Sequence, residues 1–258
     1  MKIQLALTLL SPLFLFAPAS DAGVSQSHLA HANPVPEDRV TGKIEGRVVF
    51  DGERPEVRPL DIGEDKSKGC TKPGVAMDKT DQSLLVSKEL GIKNVVVTIA
   101  VKDAKVVVPE KPIPLDQVAC VFEPHVILLP VGATVDFLNS DTIVHNVRTL
   151  ARKHESINET VAPGGKRPLL LNLGADKIEI KCDYHPWMNA WLFVTDTPYA
   201  AVTDVDGKFS IAGLEPGEYK VTLWHERLPK QEATVTVRAD GSSDSVTLKL
   251  APKKKKRE

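Results

Sequence analysis

The chain has 258 residues, enough for one large or two modest domains, and aromatic residues make up only 5% of it. Valine, glycine and proline are frequent, apolar runs are short and no helical periodicity is sustained after the first residues; this excludes a helical bundle and favours turn-rich β-sandwiches. The formal net charge of -1 is uneven, because residues 253–257 are all basic and leave a mildly acidic body, which excludes a typical nucleic-acid binder.

Lys2 precedes an apolar run over residues 3–16, and small residues follow at Ala17, Ala19, Ser20 and Ala22. The run is shorter than the roughly 20 residues of a membrane-spanning helix and contains Pro12. It predicts a signal peptide over residues 1–22, cleaved after Ala19 or Ala22. A periplasmic or extracellular protein with no stable membrane insertion after cleavage is therefore expected. Residues 23–42 have no apolar pattern and read as a flexible leader, with His28 and His31 as solvated linker histidines. Residues 252–258 read as a solvated basic tail.

Regular structure is expected from Lys43, where residues 43–50 form a strand closed by the turn pair Asp51-Gly52. Residues 94–101 form a nearly continuous β-branched run, expected to be a strand buried on both faces. Two strands are expected over residues 121–129 and 133–139, around the turn at Gly132. Asn139-Ser140-Asp141 then signals a loop. Residues 177–181 alternate cleanly and deliver the chain to Cys182, and residues 190–194 lead away again. Residues 201–211 read as a hairpin around Asp204-Val205-Asp206-Gly207. That turn is not a calcium loop, since Lys208 and Phe209 stand where an oxygen ligand and a glycine belong.

Chemistry concentrates in Cys182-Asp183-Tyr184-His185-Pro186-Trp187-Met188, with His145 upstream. A thiolate, two imidazoles and a thioether are the donors of a trigonal copper site with a weak axial methionine. Thiolate and thioether are soft and hold Cu(I), while imidazole suits both oxidation states, so the mixture serves one ion cycling between them. Three donors in one short loop converge at a strand end, and the fourth must come from a neighbouring strand. Zinc fits less well, because its structural sites favour several cysteines and no methionine.

The stretch Val135-Asp136-Phe137-Leu138-Asn139-Ser140-Asp141 with His145-Asn146-Val147 resembles the first-histidine region of the cupredoxins plastocyanin and amicyanin. Cys182-x-x-His185-Pro186-x-Met188 resembles amicyanin's ligand loop, and Phe122-x-Pro124 with Gly132 resembles the preceding strand pair. The resemblance spans about residues 117–194. It implies His145, Cys182 and His185 as strong copper ligands, Met188 as the axial one and Asn146 as a brace of the ligand loop. One departure is Val144, where cupredoxins often have proline or a small residue. With Cys182 on copper, Cys70 and Cys120 are left as a disulfide pair in an oxidising compartment. His125 is expected in a structural or surface role, and His154 and His225 on the surface.

Residues 201–221, with Asp204-x-Asp206-Gly207, Gly213-Leu214 and Pro216-Gly217, are similar to the carboxypeptidase regulatory-like domain, a transthyretin-like sandwich. Residues 46–52 and 94–99 resemble its earlier strands. The expected fold is all-β: a cupredoxin Greek-key sandwich over residues 104–195, inserted into a smaller sandwich made of residues 43–103 and 196–251. Two consecutive domains are the alternative. The reading is a copper electron carrier and not an enzyme, since no Ser-His-Asp or paired-carboxylate arrangement is visible. His185 would turn its ring edge to solvent, and Pro186 and Trp187 would dock an unidentified redox protein. Copper delivery without electron transfer, and a metal-free structural sandwich, are the competing functions.

Overall fold

The computed structural model describes residues 40–57, 59–60, 62–63, 67–71 and 77–252. The expected signal peptide, most of the leader with His28 and His31, and the basic residues 253–258 lie outside the described residues. All regular elements among those described are strands. In chain order they are β1 (Gly42–Phe50), β2 (Val96–Ile99), β3 (Ile113–Val118), β4 (Val121–Glu123), β5 (Val126–Pro130) and β6 (Thr134–Asn139). Next come β7 (His145–Leu150), β8 (Asn158–Val161), β9 (Lys166–Leu170), β10 (Asp176–Lys181) and β11 (Asn189–Thr195). The last are β12 (Ala200–Val202), β13 (Lys208–Leu214), β14 (Gly217–Trp224), β15 (Gln231–Val237) and β16 (Val246–Leu250).

Four sheets form two sandwiches. Sheets β4-β3-β6-β9 and β5-β11-β10-β7-β8 enclose a core that includes Leu115, Phe137, Val147, Ile178, Ile180 and Leu192. Sheets β13-β1-β16 and β12-β2-β14-β15 enclose a second, with Ile44, Val48, Ile99, Ile211, Val221 and Leu250. The all-β expectation of one sandwich bearing the candidate ligands beside another is borne out. The second sandwich takes β1 and β2 from before the first and β12–β16 from after it. The crossing is closed by hydrogen bonds from the Ile99 N–H to the Tyr199 carbonyl and from the Thr197 hydroxyl to the Ile99 carbonyl.

Alternation decides which core each residue enters. On β11, Ala190, Leu192 and Val194 point into the first core, while Trp191 and Phe193 pack where the two sandwiches meet. β5 is buried along its whole length for the same reason: Ile127 and Leu129 face the first core, and Val126 and Leu128 face the junction. On β2, Val97 and Ile99 serve the second core and Val96 the junction. These runs look continuously apolar in sequence because both faces of the strand are covered. Trp224 of β14 meets Trp191 edge to face at 5.3 Å across the junction.

The strand expected over residues 121–129 is two strands in different sheets. Pro124 has no N–H to give a ladder, so pairing stops and the chain changes sheets. The turn at residues 204–207 is a hairpin turn, with one Asp204 carboxylate oxygen accepting the Asp206 and Lys208 N–H groups. Gly207 is required there: its φ is +78°, and a Cβ would stand 2.4 Å from the Val48 carbonyl oxygen.

Two histidines expected on the surface are buried, which corrects that reading. His154 accepts the Leu173 N–H at Nε2 and faces Asp176 through Nδ1, filling a polar gap between loops. His225 accepts the Arg227 N–H at Nδ1 and lies in the junction near His125, itself buried and paired with Glu226. Burial first, then the charges of His125 and Arg227, push the His225 imidazole down to about 4. An unfolded imidazole titrates near 6.5, so below that pH the unfolded chain takes up protons the folded one refuses. Stability should therefore be full above about pH 6.5 and fall by on the order of 3 kcal/mol on acidification to about pH 4. His225→Asn should flatten that part of the profile, measured by urea unfolding at a series of pH values. An unchanged slope would place the acid sensitivity elsewhere.

Candidate metal centre

The centre is built where β7 and β10 run antiparallel, with Lys181 opposite Arg148. That register brings the start of β7, His145, beside the loop that follows β10. Cys182 directly follows β10, and its N–H reaches the Met188 carbonyl at 3.3 Å, while the Met188 N–H bonds the His185 carbonyl at 2.9 Å. The loop is thereby folded onto itself with Cys182, His185 and Met188 all buried. Asn146 braces it, accepting the Asp183 N–H through Oδ1 at 2.5 Å and holding Asn158 with its amide nitrogen.

The donor atoms face each other. His145 Nδ1 lies 3.0 Å from His185 Nδ1, and Cys182 Sγ lies 3.9 Å from the first and 3.7 Å from the second. Metal–nitrogen bonds of about 2.0 Å and a metal–sulfur bond of about 2.3 Å, set trigonally, separate donors by about 3.5–3.7 Å. The observed triangle is close to that size, so the residues present fit a small first-row ion. Met188 is buried in the same core as Cys182, and its backbone is bonded to both Cys182 and His185.

Asp141, expected in a loop, belongs to the same cluster as His145. Its carboxylate accepts the N–H groups of Ala119 and Cys120 at 2.6 and 2.8 Å, and faces His145 Nε2 at 2.8 Å. A carboxylate only accepts, so Nε2 carries a proton, and Nδ1 is the nitrogen turned toward Cys182 and His185. The sign that could have exposed it is an Asp four residues before a ligand histidine. Asn139 sets up this loop by accepting the Asp141 N–H and bonding the Ile143 and Val161 carbonyls.

Charges follow from these contacts. Burial raises the Asp141 and Cys182 pKa values, but hydrogen bonds outweigh it in both. For Asp141 the donors are His145, Cys120 and Ala119, and its carboxyl lies below the usual range. For Cys182 they are His145, His185 and the backbone, and the thiol falls to about 6. Burial alone would lower His145, but bonding to Asp141 and Cys182 raises it. In the metal-free protein the ultraviolet thiolate absorbance of Cys182 should thus appear with a midpoint near pH 6 instead of 9. A midpoint above 8 would show that the histidines do not contact the sulfur.

His185 is not turned to solvent. It is only 8% exposed, which corrects the expected ring-edge exit. The cause is an added layer: the Cys70–Cys120 disulfide, whose sulfurs lie within 4.8 Å of a His185 ring nitrogen, and Trp187, whose ring is 5.2 Å away. Trp187 is itself half-buried and donates its indole N–H to the Cys120 carbonyl. Pro186 is exposed, as are Val144 and Tyr184. His125 lies in the junction between the sandwiches and outside the ligand set.

The family described as polysaccharide lyase family 4, domain II, matches residues 176–245, a span that runs from β10 into the second sandwich. No curated protein matches the chain significantly. Among solved structures, the copper-containing nitrite reductase from Thermus scotoductus SA-01 is 21% identical with a TM-score of 0.31, over 38% of this chain and 25% of that one. This chain therefore spans about a quarter of the reductase. A purple cupredoxin from Nitrosopumilus maritimus is 20% identical with a TM-score of 0.28, over 32% of this chain and 99% of that one. A reduced amicyanin variant is 21% identical with a TM-score of 0.31, over 38% of this chain and 97% of that one.

Proposed function

We propose that the chain is an exported type 1 copper protein of the cupredoxin kind that passes single electrons to a redox protein partner. The observation that carries this is the buried triangle of two imidazole nitrogens and a thiolate sulfur, followed by a buried methionine. When bound, copper would supply one-electron exchange between Cu(I) and Cu(II). His145, Cys182 and His185 would be the strong ligands and Met188 the weak axial one. Asp141 keeps His145 in the tautomer that presents Nδ1, and Asn146 holds the loop so that little rearranges between oxidation states. The disulfide and the half-buried Trp187 keep bulk water off the ligands.

The cupredoxin unit would occupy residues 104–195. The second sandwich, residues 43–103 with 196–251, would be a scaffold of the carboxypeptidase regulatory-like kind with no catalytic residues. Export to the periplasm or beyond fits the N-terminal apolar run and the disulfide. With His185 covered, Pro186, Trp187, Val144 and Tyr184 would form the apolar rim of a small, weak docking surface. The test is to add Cu(II) to the metal-free protein and record visible and electron-spin-resonance spectra. An intense visible band with narrow copper hyperfine splitting is expected. A pale, ordinary Cu(II) spectrum would overturn the type 1 assignment. Irreversible voltammetry of a blue protein would leave copper binding and remove electron transfer.

A further inference from the structure

The Cys70–Cys120 disulfide stands against the ligand cluster instead of stapling a distant loop. Cys120 Sγ is 3.9 Å from His145 Nε2, and both sulfurs and a ring nitrogen of His185 lie within 4.8 Å of one another. Cys70 and Cys120 are fully buried. The segment leading into Cys70 is seated on the loop before His145: a Cβ on Gly69, whose φ is +85°, would come 2.6 Å from the Ile143 methyl. Cys120 is held from the other side, its N–H on Asp141 and its carbonyl on Trp187. Packing thus places the two sulfurs beside His185 from both directions.

We propose that reduction of this disulfide creates a second Cu(I) site, formed by the Cys70 and Cys120 thiolates and His185. The step needs a dithiol as reductant. Two electrons and two protons pass from the dithiol to the S–S bond, the dithiol becomes a disulfide, and Cys70 and Cys120 become thiols. Cu(I) then displaces both thiol protons and binds two thiolates and an imidazole, a soft set suited to that oxidation state. His185 belongs to both triangles, so the two sites share one residue. The oxidation state of the disulfide would then decide whether the second site can hold Cu(I). The choice of copper rests on the type 1 reading of the first centre.

The test separates the two sites. A Cys182→Ser chain lacks the thiolate of the first centre, so the fate of the type 1 reading does not enter its result. It is prepared in the disulfide form and in the reduced form, freed of reductant without air, and titrated with Cu(I) against a coloured Cu(I) chelator. The reduced form should withdraw one Cu(I) per chain and the disulfide form none. Adding Cys70→Ser to the reduced Cys182→Ser chain should abolish the withdrawal. Equal withdrawal by the two forms, or none by either, would overturn the proposal. Should Cys182→Ser not fold, the reduced wild-type chain serves. With two equivalents of Cu(I), Cys70 and Cys120 should be alkylated together more slowly than in the reduced copper-free chain, and equal rates would overturn it.

Discussion

Cys182→Ser should remove the intense visible band completely and weaken copper binding by more than about a hundredfold, since even outer partners of a ligand are worth about 10–100-fold. Such a band would arise from charge transfer between sulfur and copper, and a hydroxyl offers no such donor. The fold should survive, because Ser is close in size and Cys182 makes no disulfide. A buried hydroxyl here can bond the same imidazole nitrogens that now face the sulfur. Spectroscopy and a chelator competition on the variant measure both effects. A chain that stayed coloured would show that another sulfur holds the metal.

The second large effect is a contrast between His145→Ala and Met188→Gln. Losing His145 would remove one of the three proposed strong ligands and leave the buried Asp141 carboxylate without its imidazole partner, although two N–H groups still hold it. Copper binding should fall by at least about a hundredfold. Stability should drop by about 1–3 kcal/mol from the unpaired carboxylate alone. Met188→Gln should keep copper and colour, because an axial thioether is weak, but lower the reduction potential, since an oxygen donor favours Cu(II). Voltammetry and copper retention under chelator read the pair. Equal copper loss in both variants would make Met188 a strong ligand, and an unchanged potential would make it a packing residue.

The candidate ligand types were legible in the chain because a strand end and a short loop are local. Residues 177–181 alternate, so the strand and the place where it releases Cys182 follow from periodicity alone. Asp141 was not legible as part of the centre. Its role depends on the Ala119–Cys120 turn, more than twenty residues away, bringing two N–H groups to one carboxylate. His225 and His154 were misjudged for a related cause. A polar residue flanked by charge reads as surface, and only long-range packing reveals that a second sandwich or a neighbouring loop covers it.

The burial of His185 shows the same division most clearly. Sequence by itself determined the all-β class, the alternating strands and the candidate donors of the Cys182 loop, because each depends on side-chain periodicity or on donor chemistry within a few residues. Tertiary structure alone decided that β5 and β11 feed two cores at once, and that β1 and β2 join strands more than a hundred residues later. It also decided that Cys70 returns beside His185. Such contacts are set by how whole sheets bury their faces against each other. That is a property of the packed chain, and no short window of sequence carries it.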